Sequence, residues 1–243
     1  MICKILDSGS KANGYILTNG HEALIIEAGC PVRDVLKAVN FKNETIVGCI
    51  VSHAHGDHSK HIKDYQQLGI EVYLSAGAAF ELKNVYRRTN VIKHRLTINL
   101  GGFVIVPFNT HHDCAEPLGF LINHPDIGRL LFATDTSHFD YIFKNLTTIM
   151  IESNYSPKTL KKQAENGDLV KMRYDRIINN HMSIDTAIKT MKQFDMSNVK
   201  NIILLHLSDD NSDENAMVQE VINKFGIETR SAKKGIEINL NVF

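Results

Sequence analysis

No run in the 243-residue chain approaches the ~20 consecutive apolar residues of a membrane span, so no helical membrane segment is expected. The opening stretch, Met1-Ile-Cys-Lys-Ile-Leu-Asp7, lacks the basic-then-apolar layout of a secretory signal. Cysteines are few, and Cys3, Cys30, Cys49 and Cys114 show no paired spacing, so the expectation is reduced thiols in a cytoplasmic protein. Neither charge is in excess, with 27 Lys+Arg against 27 Asp+Glu. That balance argues against a wholly basic nucleic-acid coat but leaves room for a local patch. Repeats, low-complexity tracts and Pro/Ser-rich linkers are absent, and the expectation is one domain over residues 1–243 with two halves. The 43% hydrophobic and 22% charged content suits a folded chain whose core needs no covalent staple. Tryptophan is missing altogether, whereas histidine reaches 12. Histidine is the commonest metal ligand and a frequent proton carrier, so the question is whether those residues are scattered or placed.

Short apolar runs at 2–6, 14–18 and 23–27, separated by turn residues, predict a meander of strands. Beyond them, strands are expected at 46–52, 71–74, 96–108, 118–123, 130–133, 147–151, 201–205, 227–231 and 236–240. Helices are expected at 32–40, 59–68, 76–86, 158–165, 183–194 and 213–225. Strands and helices alternating in blocks after an all-β start give an α/β or α+β layered class.

The strand Gly48-Cys-Ile-Val-Ser52 runs into His53-Ala-His55-Gly-Asp57-His58. Four potential ligands thus follow a buried strand, where sites usually sit. His53 and His55 can point the same way from extended chain, and Gly56 offers a tight turn after which Asp57 and His58 diverge. Two diverging ligand sets suit two neighbouring metals.

The motif His53-x-His55-x-Asp57-His58 after an apolar strand resembles the signature of the metallo-β-lactamase-fold hydrolases. The resemblance implies a four-layer αββα sandwich with two divalent metal ions, Zn²⁺ or Mn²⁺, at one edge. It asks for an acid after an early strand, met by Glu27, although the family usually has Asp there. It asks for a later His, met in His111-His112-Asp113. It asks for a bridging Asp, met by Asp135, and a final His, met by His206. The implied ligands are His53, His55 and His112 at one site and Asp57, His58 and His206 at the other. Asp135 is shared and Glu27 supports. His112 is the favoured ligand of its pair, with His111 left as the alternative. Loss of Asp57 is expected to abolish turnover.

Flavodi-iron enzymes carry Glu where His55 stands, and secreted β-lactamases of this fold usually place Cys at the position of Asp135. Neither branch fits. The stretches Ser8–Gly14, His112–Phe120, Ile151–Tyr155, Asn180–Ala187 and Leu205–Asn211 resemble the YycJ/WalJ branch, cytoplasmic bacterial proteins regarded as nucleases. Glu152 and His181 also resemble a pair in the tRNA 3′-end endonucleases, where it assists departure of the leaving oxygen. Asn180 departs from the Gly common in the branch. The bland readings stay open: His181 as the start of a helix capped by Ser183, and Glu152 as the acceptor for a backbone amide. Ser8, Ser10 and Asn13 are candidates for substrate binding, or simply a turn. There is no room for a β-CASP domain, and no Gly/Pro-rich arm of the tRNA-processing kind is visible.

Two stretches are basic. Residues 83–95 hold Lys83, Arg87, Arg88, Lys93 and Arg95 without an acid, and 158–176 hold six Lys/Arg against three acids. They suit either a phosphate backbone or ordinary solvated faces. The reading is a dinuclear metal-dependent phosphodiesterase acting on nucleic acid, DNA above RNA, with 5′→3′ exonuclease action as its sharpest form. The alternatives are a hydrolase of a small phosphodiester or thioester, and a metal-binding regulator without turnover. No membrane partner is expected, and the oligomeric state, a homodimer included, is open.

Overall fold

The computed structural model describes residues 1–83, 87–167, 169–208 and 210–242. In chain order the elements are β1 (Ile2–Gly9), β2 (Ala12–Thr18), β3 (Ala23–Ile26), α1 (Val32–Ala38), β4 (Ile46–Ile50), α2 (Gly56–Ser59), α3 (Ile62–Gln67), β5 (Val72–Leu74), α4 (Ala76–Glu81), β6 (Thr89–Val91), β7 (Ile98–Leu100), β8 (Phe103–Asn109), β9 (Leu118–His124), β10 (Gly128–Ala133), β11 (Thr148–Glu152), α5 (Pro157–Glu165), α6 (Lys171–Asn180), α7 (Ile184–Met191), β12 (Asn201–Leu205), α8 (Glu214–Phe225), β13 (Glu228–Ser231) and β14 (Glu237–Asn239). One sheet has the order β14-β1-β2-β3-β4-β5-β6 and the other β13-β12-β11-β10-β9-β8-β7. Each is antiparallel at one side and parallel at the other. β3 to β6 run parallel in the first sheet and β10 to β13 in the second.

Alternation along the strands explains the layers. In β2, Tyr15 and Leu17 face the second sheet, meeting Phe103, Phe120 and Phe132 in the central core. Ile16, between them, faces outward with Ile25 and Cys49 onto Val35, Ile62, Tyr65 and Ala78 of the first helical layer. The second sheet does the same. Leu130 and Phe132 of β10 point inward, while Leu131 and Ala133 point to Ile184, Ile188, Met191, Met217 and Val221 of α7 and α8. The result is a four-layer αββα sandwich. Tyr15 and Phe132 meet edge to face across the central core, with ring centroids 5.3 Å apart.

Helix ends follow their local chemistry. Ser183 caps α7 by accepting from Thr186 N at 3.1 Å, and Asp213 caps α8 by accepting from Ala216 N at 3.1 Å. Gly226, at φ 67°, ends α8. The strand expected over 96–108 is two strands, β7 and β8, because Gly101 turns the chain at φ 56°. The helix expected over 59–68 is split into α2 and α3, and of the one expected over 76–86, residues 84–86 lie outside the described residues. β6 and α6 were not foreseen. α6 turns Tyr174 and Ile177 toward Tyr155, Leu160 and Leu169 but leaves Met172 and Ile178 exposed, so its apolar residues trace no single stripe.

Gly56 is not in the left-handed region and opens α2 as an ordinary first residue, so the tight turn expected there is absent. Gly29 is the glycine that the packing requires. A Cβ there would lie 1.7 Å from the Asp57 carbonyl oxygen and 2.7 Å from Asn13 N. Both neighbours are backbone and cannot rotate away. Gly29→Ala is expected to cost about 3 kcal/mol of stability in urea unfolding. Gly56→Ala, whose Cβ meets nothing within 4 Å, is expected to stay within about 0.5 kcal/mol of the parent.

Candidate metal centre

The polar residues singled out in the sequence gather where strands of both sheets end. Glu27 follows β3, His53 and His55 follow β4, and Asp57 and His58 ride on α2. His112 follows β8, Asp135 follows β10, Glu152 ends β11 and His206 follows β12. Three of these strand-end residues, Glu27, Asp135 and His206, have left-handed backbone at φ 68°, 44° and 53°. Non-glycine residues adopt that region at a cost and mostly where packing enforces it.

Two donor groups emerge. His53, His55 and His112 form one; Asp57, His58, Asp135 and His206 form the other. In the first, His112 Nε2 stands 3.1 Å from His55 Nδ1, while His112 Nδ1 donates to the Asn180 carbonyl at 3.0 Å. That bond leaves Nε2 of the neutral ring free to accept. His53 Nδ1 lies 2.8 Å from Ser52 Oγ, and its buried Nε2 has no hydrogen-bond partner among the described residues. In the second, His58 Nε2 is 3.3 Å from Asp57 Oδ2 and 3.4 Å from Asp135 Oδ1. His206 Nε2 is 3.7 Å from Asp57 Oδ2 and makes no hydrogen bond among the described residues. Asp135 spans the groups, since its Oδ2 lies 3.7 Å from His112 Nε2. His112 is in the cluster at 2% side-chain exposure, whereas His111, at 46%, turns to Asp140.

These donors fit a pair of divalent cations. Ligands on a tetrahedral ion with bonds of ~2.0–2.1 Å stand about 3.3 Å from one another. The spacings above fall around that edge, and two of the buried nitrogens have nothing else to bind. Imidazole and carboxylate donors suit Zn²⁺ and Mn²⁺ alike.

The remaining partners orient this set. Glu27 is fully buried, accepts from Ser52 N at 3.3 Å and lies 3.3 Å from His58 Nδ1. Asn13, also buried, reaches Asp57 Oδ2 at 3.1 Å and His58 Nε2 at 2.9 Å through Nδ2. Ser8 Oγ accepts from His206 N at 3.0 Å. Of the three residues considered for substrate contact, Ser10 lines a cavity. Asn154, whose Nδ2 lies 3.1 Å from His206 Nδ1, and Ser52 were not singled out from the sequence. An Asn two residues beyond Glu152 was the available signal for the former. Glu152 is buried and accepts from His181 Nδ1 at 2.7 Å, while its Oε2 accepts from Thr136 N at 2.7 Å and Met182 N at 3.1 Å. Glu152 therefore holds the His181 ring and two backbone N–H groups at once.

Charge in the cluster is unevenly held. Burial opposes a charged His58, yet Asp135, Glu27 and Asp57 outweigh it and hold its pKa well above the histidine range. Burial also opposes charge on His206, and Asp135, Asp57 and Glu152 outweigh it, pushing the pKa up to about 10. Burial would lift the carboxyls of Asp57 and Asp135, but His206 and His58 hold both far below the carboxylate range. Burial pushes His53 and His112 down, with His58 adding to the effect on His53. At pH 7 the cation-free cluster thus keeps protons on His58 and His206, which metal must expel, while His53 and His112 have none to lose. Zn²⁺ loading is expected to release about two protons and to tighten as pH rises. Calorimetry in buffers of different ionisation enthalpy checks this, and zero release would contradict it.

Comparison with known proteins agrees with this arrangement. The model of the beta-lactamase superfamily domain matches residues 30–207. The chain is 22% identical to the exodeoxyribonuclease WalJ of Streptococcus pneumoniae, over 98% of this chain and 92% of that one. The metallo-beta-lactamase fold protein YhfI of Bacillus subtilis is similar at a TM-score of 0.74 and 18% identity, covering 98% of each chain. The short form of human tRNase Z is similar at a TM-score of 0.65 and 15% identity, covering 99% of each. With its family match running from ahead of β4 to just past β12, the chain belongs to the beta-lactamase superfamily and is one of its metal-dependent hydrolases.

Proposed function

We propose that this protein is a dinuclear metal-dependent phosphodiesterase that cleaves nucleic acid, DNA in preference to RNA, as an exonuclease of 5′→3′ polarity. The observation that carries the phosphodiester reading is the His181–Glu152 pair. A buried carboxylate is hydrogen-bonded at 2.7 Å to an imidazole at the rim of the metal cluster. The His181 and His206 rings stack at 5.3 Å, which puts the pair against the second donor group. Phosphodiester cleavage with a sugar hydroxyl as leaving group needs a proton at the departing oxygen. A histidine held by a carboxylate is suited to supply it. Similarity to an exodeoxyribonuclease supports DNA as the substrate.

In this reading His53, His55 and His112 hold one divalent ion, Zn²⁺ or Mn²⁺. Asp57, His58 and His206 hold the other, and Asp135 lies between. When bound, the pair supplies an acidified water as nucleophile and offsets charge on the phosphoryl group. Glu27 and Asn13 fix His58, and the Asn180 carbonyl fixes His112. Glu152, locked by two backbone N–H groups, holds His181 in one tautomer with Nε2 toward the leaving oxygen. Burial opposes protonation of His181, and Glu152 outweighs it and raises the pKa, which favours the acid form.

Three substitutions test this. Asp57→Ala is expected to abolish turnover of every ester. His181→Ala is expected to slow an oligonucleotide about 10²–10³-fold while slowing bis-p-nitrophenyl phosphate, whose leaving group needs no proton, less than about tenfold. Equal losses on both would sink the general-acid role. The rate falls as pH rises through the pKa of His181. Glu152→Gln removes the group that raises that pKa and is expected to move the alkaline limb to lower pH. The overall reading is tested with Zn²⁺- and Mn²⁺-loaded protein on end-labelled single- and double-stranded DNA and RNA. Cleavage of a thioester or a cyclic nucleotide, with none of these polymers cut, would replace it with a small-substrate hydrolase.

A further inference from the structure

Next to the cluster lies a cavity of about 210 Å³ with His181 and His206 in its wall. Its other polar lining includes Arg173 and Arg176 on α6, Ser10 from the β1–β2 turn, and Asn211. Among the described residues no carboxylate lines it. Arg173 and Arg176 stand three apart on the helix, on the same side as Ile177 and Asn180, so they face the site one above the other. Each is steadied from the side. Arg173 Nη2 is 3.3 Å from Asp210 Oδ2, and Arg176 Nε is 3.9 Å from Asp113 Oδ2. All four side chains of these pairs are substantially exposed, so the pairs are weak and open to exchange for a better anion. Asp113 is itself 3.4 Å from His112 Nε2 through its other oxygen, so a single carboxylate separates Arg176 from the donor cluster. Asn211 is 1% exposed, and among the described residues its carboxamide oxygen has no hydrogen-bond partner. A buried acceptor left unpaired is costly unless something in the cavity donates to it.

The order of these groups indicates which part of a substrate goes where. His181 delivers a proton to the leaving oxygen, so the fragment that departs lies on the His181 side of the broken bond. The cavity begins at His181. We propose that it holds the leaving nucleoside, with Arg173 and Arg176 clamping the phosphate on that nucleoside's far side and Asn211 accepting from its sugar or base. This rests on the phosphodiesterase reading. It adds that the protein selects leaving fragments that carry a second phosphate, and so prefers a strand to a simple diester. Guanidinium groups suit this task because their fork matches phosphate oxygens.

The test uses the full-length, metal-loaded protein and three thymidine dinucleotides: the plain monophosphate-linked TpT, pTpT with a 5′-phosphate and TpTp with a 3′-phosphate. Only the phosphate on the leaving nucleoside reaches the cavity, so one of the two phosphorylated forms is expected to exceed TpT in kcat/KM by at least about tenfold. The other form controls for general charge attraction. In the double variant Arg173→Gln, Arg176→Gln the ratio is expected to fall to within about twofold of one. Equal gains for both forms, or a ratio unchanged in the variant, overturns the proposal. Calorimetric binding of thymidine 3′,5′-bisphosphate decides the matter even without turnover, with matching circular dichroism and metal content showing the variant folded. Binding that weakens about tenfold in the variant supports the pocket, and if no dinucleotide is cut it is the nuclease reading that fails. Binding indifferent to both arginines, beside intact DNA cleavage, removes the pocket and leaves the nuclease standing.

Discussion

The carboxylate of Asp135 is the constraint around which the rest is arranged. It is buried between the ends of two sheets, and an isolated buried carboxylate is too costly to persist ionised. Neighbouring elements therefore bring groups that can balance it, His58 from α2 and His206 after β12, while His112 after β8 stands 3.7 Å away as a neutral ring. Glu27 and Glu152 add two further buried acids behind the first ring, Glu27 held by one backbone N–H and Glu152 by two, each also beside an imidazole. A site this acidic, with nitrogen donors turned inward and two of them unpaired, is a receptor for cations. The αββα layering supplies what such a site requires, because strand ends from two sheets can surround a point that one sheet could only border.

That convergence has a conformational cost, visible in the left-handed backbone of Glu27, Asp135 and His206. Strain of this kind is of order 1–3 kcal/mol per residue and survives only where neighbours over-determine the geometry. They do so here. Glu27 N donates to the Ile50 carbonyl, Ala28 N to the His58 carbonyl and Gly29 N to the Asn13 carbonyl. His206 N donates to Ser8 Oγ, and the His206 carbonyl accepts from Asn154 Nδ2. The chain thus crosses between the two sheets by hydrogen bonds that also aim the donors, which explains why Gly29 has no space for even one more carbon.

Much of this was legible because the site is written in residue type. Histidines and aspartates at the ends of apolar runs stand out against a 43% hydrophobic background, and both sheets follow from alternation. The sequence left His111 and His112 unresolved, since adjacent residues differ only in which way the strand end turns them, and Asp140 draws one outward. α6 escaped for a different reason. Its apolar residues face both solvent and core, so no periodic stripe marked it, and the basic run that contains it looked like any solvated face. The other basic run, at 83–95, shows how weak that signal is: Arg88 there is paired with Glu71 at the edge of the first sheet. Whether a basic residue faces a site depends on helix phase and on what lies opposite, and neither is local information.

In the proposed mechanism, the position of α6 also separates two tasks that use the same residue type. Imidazoles that bind a cation must be neutral at the donor nitrogen, whereas an imidazole that protonates a leaving group must be charged. The surroundings of His181 favour the second state, because Glu152 is its partner, is buried and is shared with His206 only at 3.4 Å. His112 meets the first because its Nδ1 proton is given to a carbonyl, which stabilises charge on the ring far less than a carboxylate does. That carbonyl belongs to Asn180, the residue before His181. One helix end therefore fixes the state of both rings, handing a neutral acceptor to His112 and placing His181 on the acid. A change in the phase of α6 would disturb both rings together, and with them the two arginines one and two turns further back.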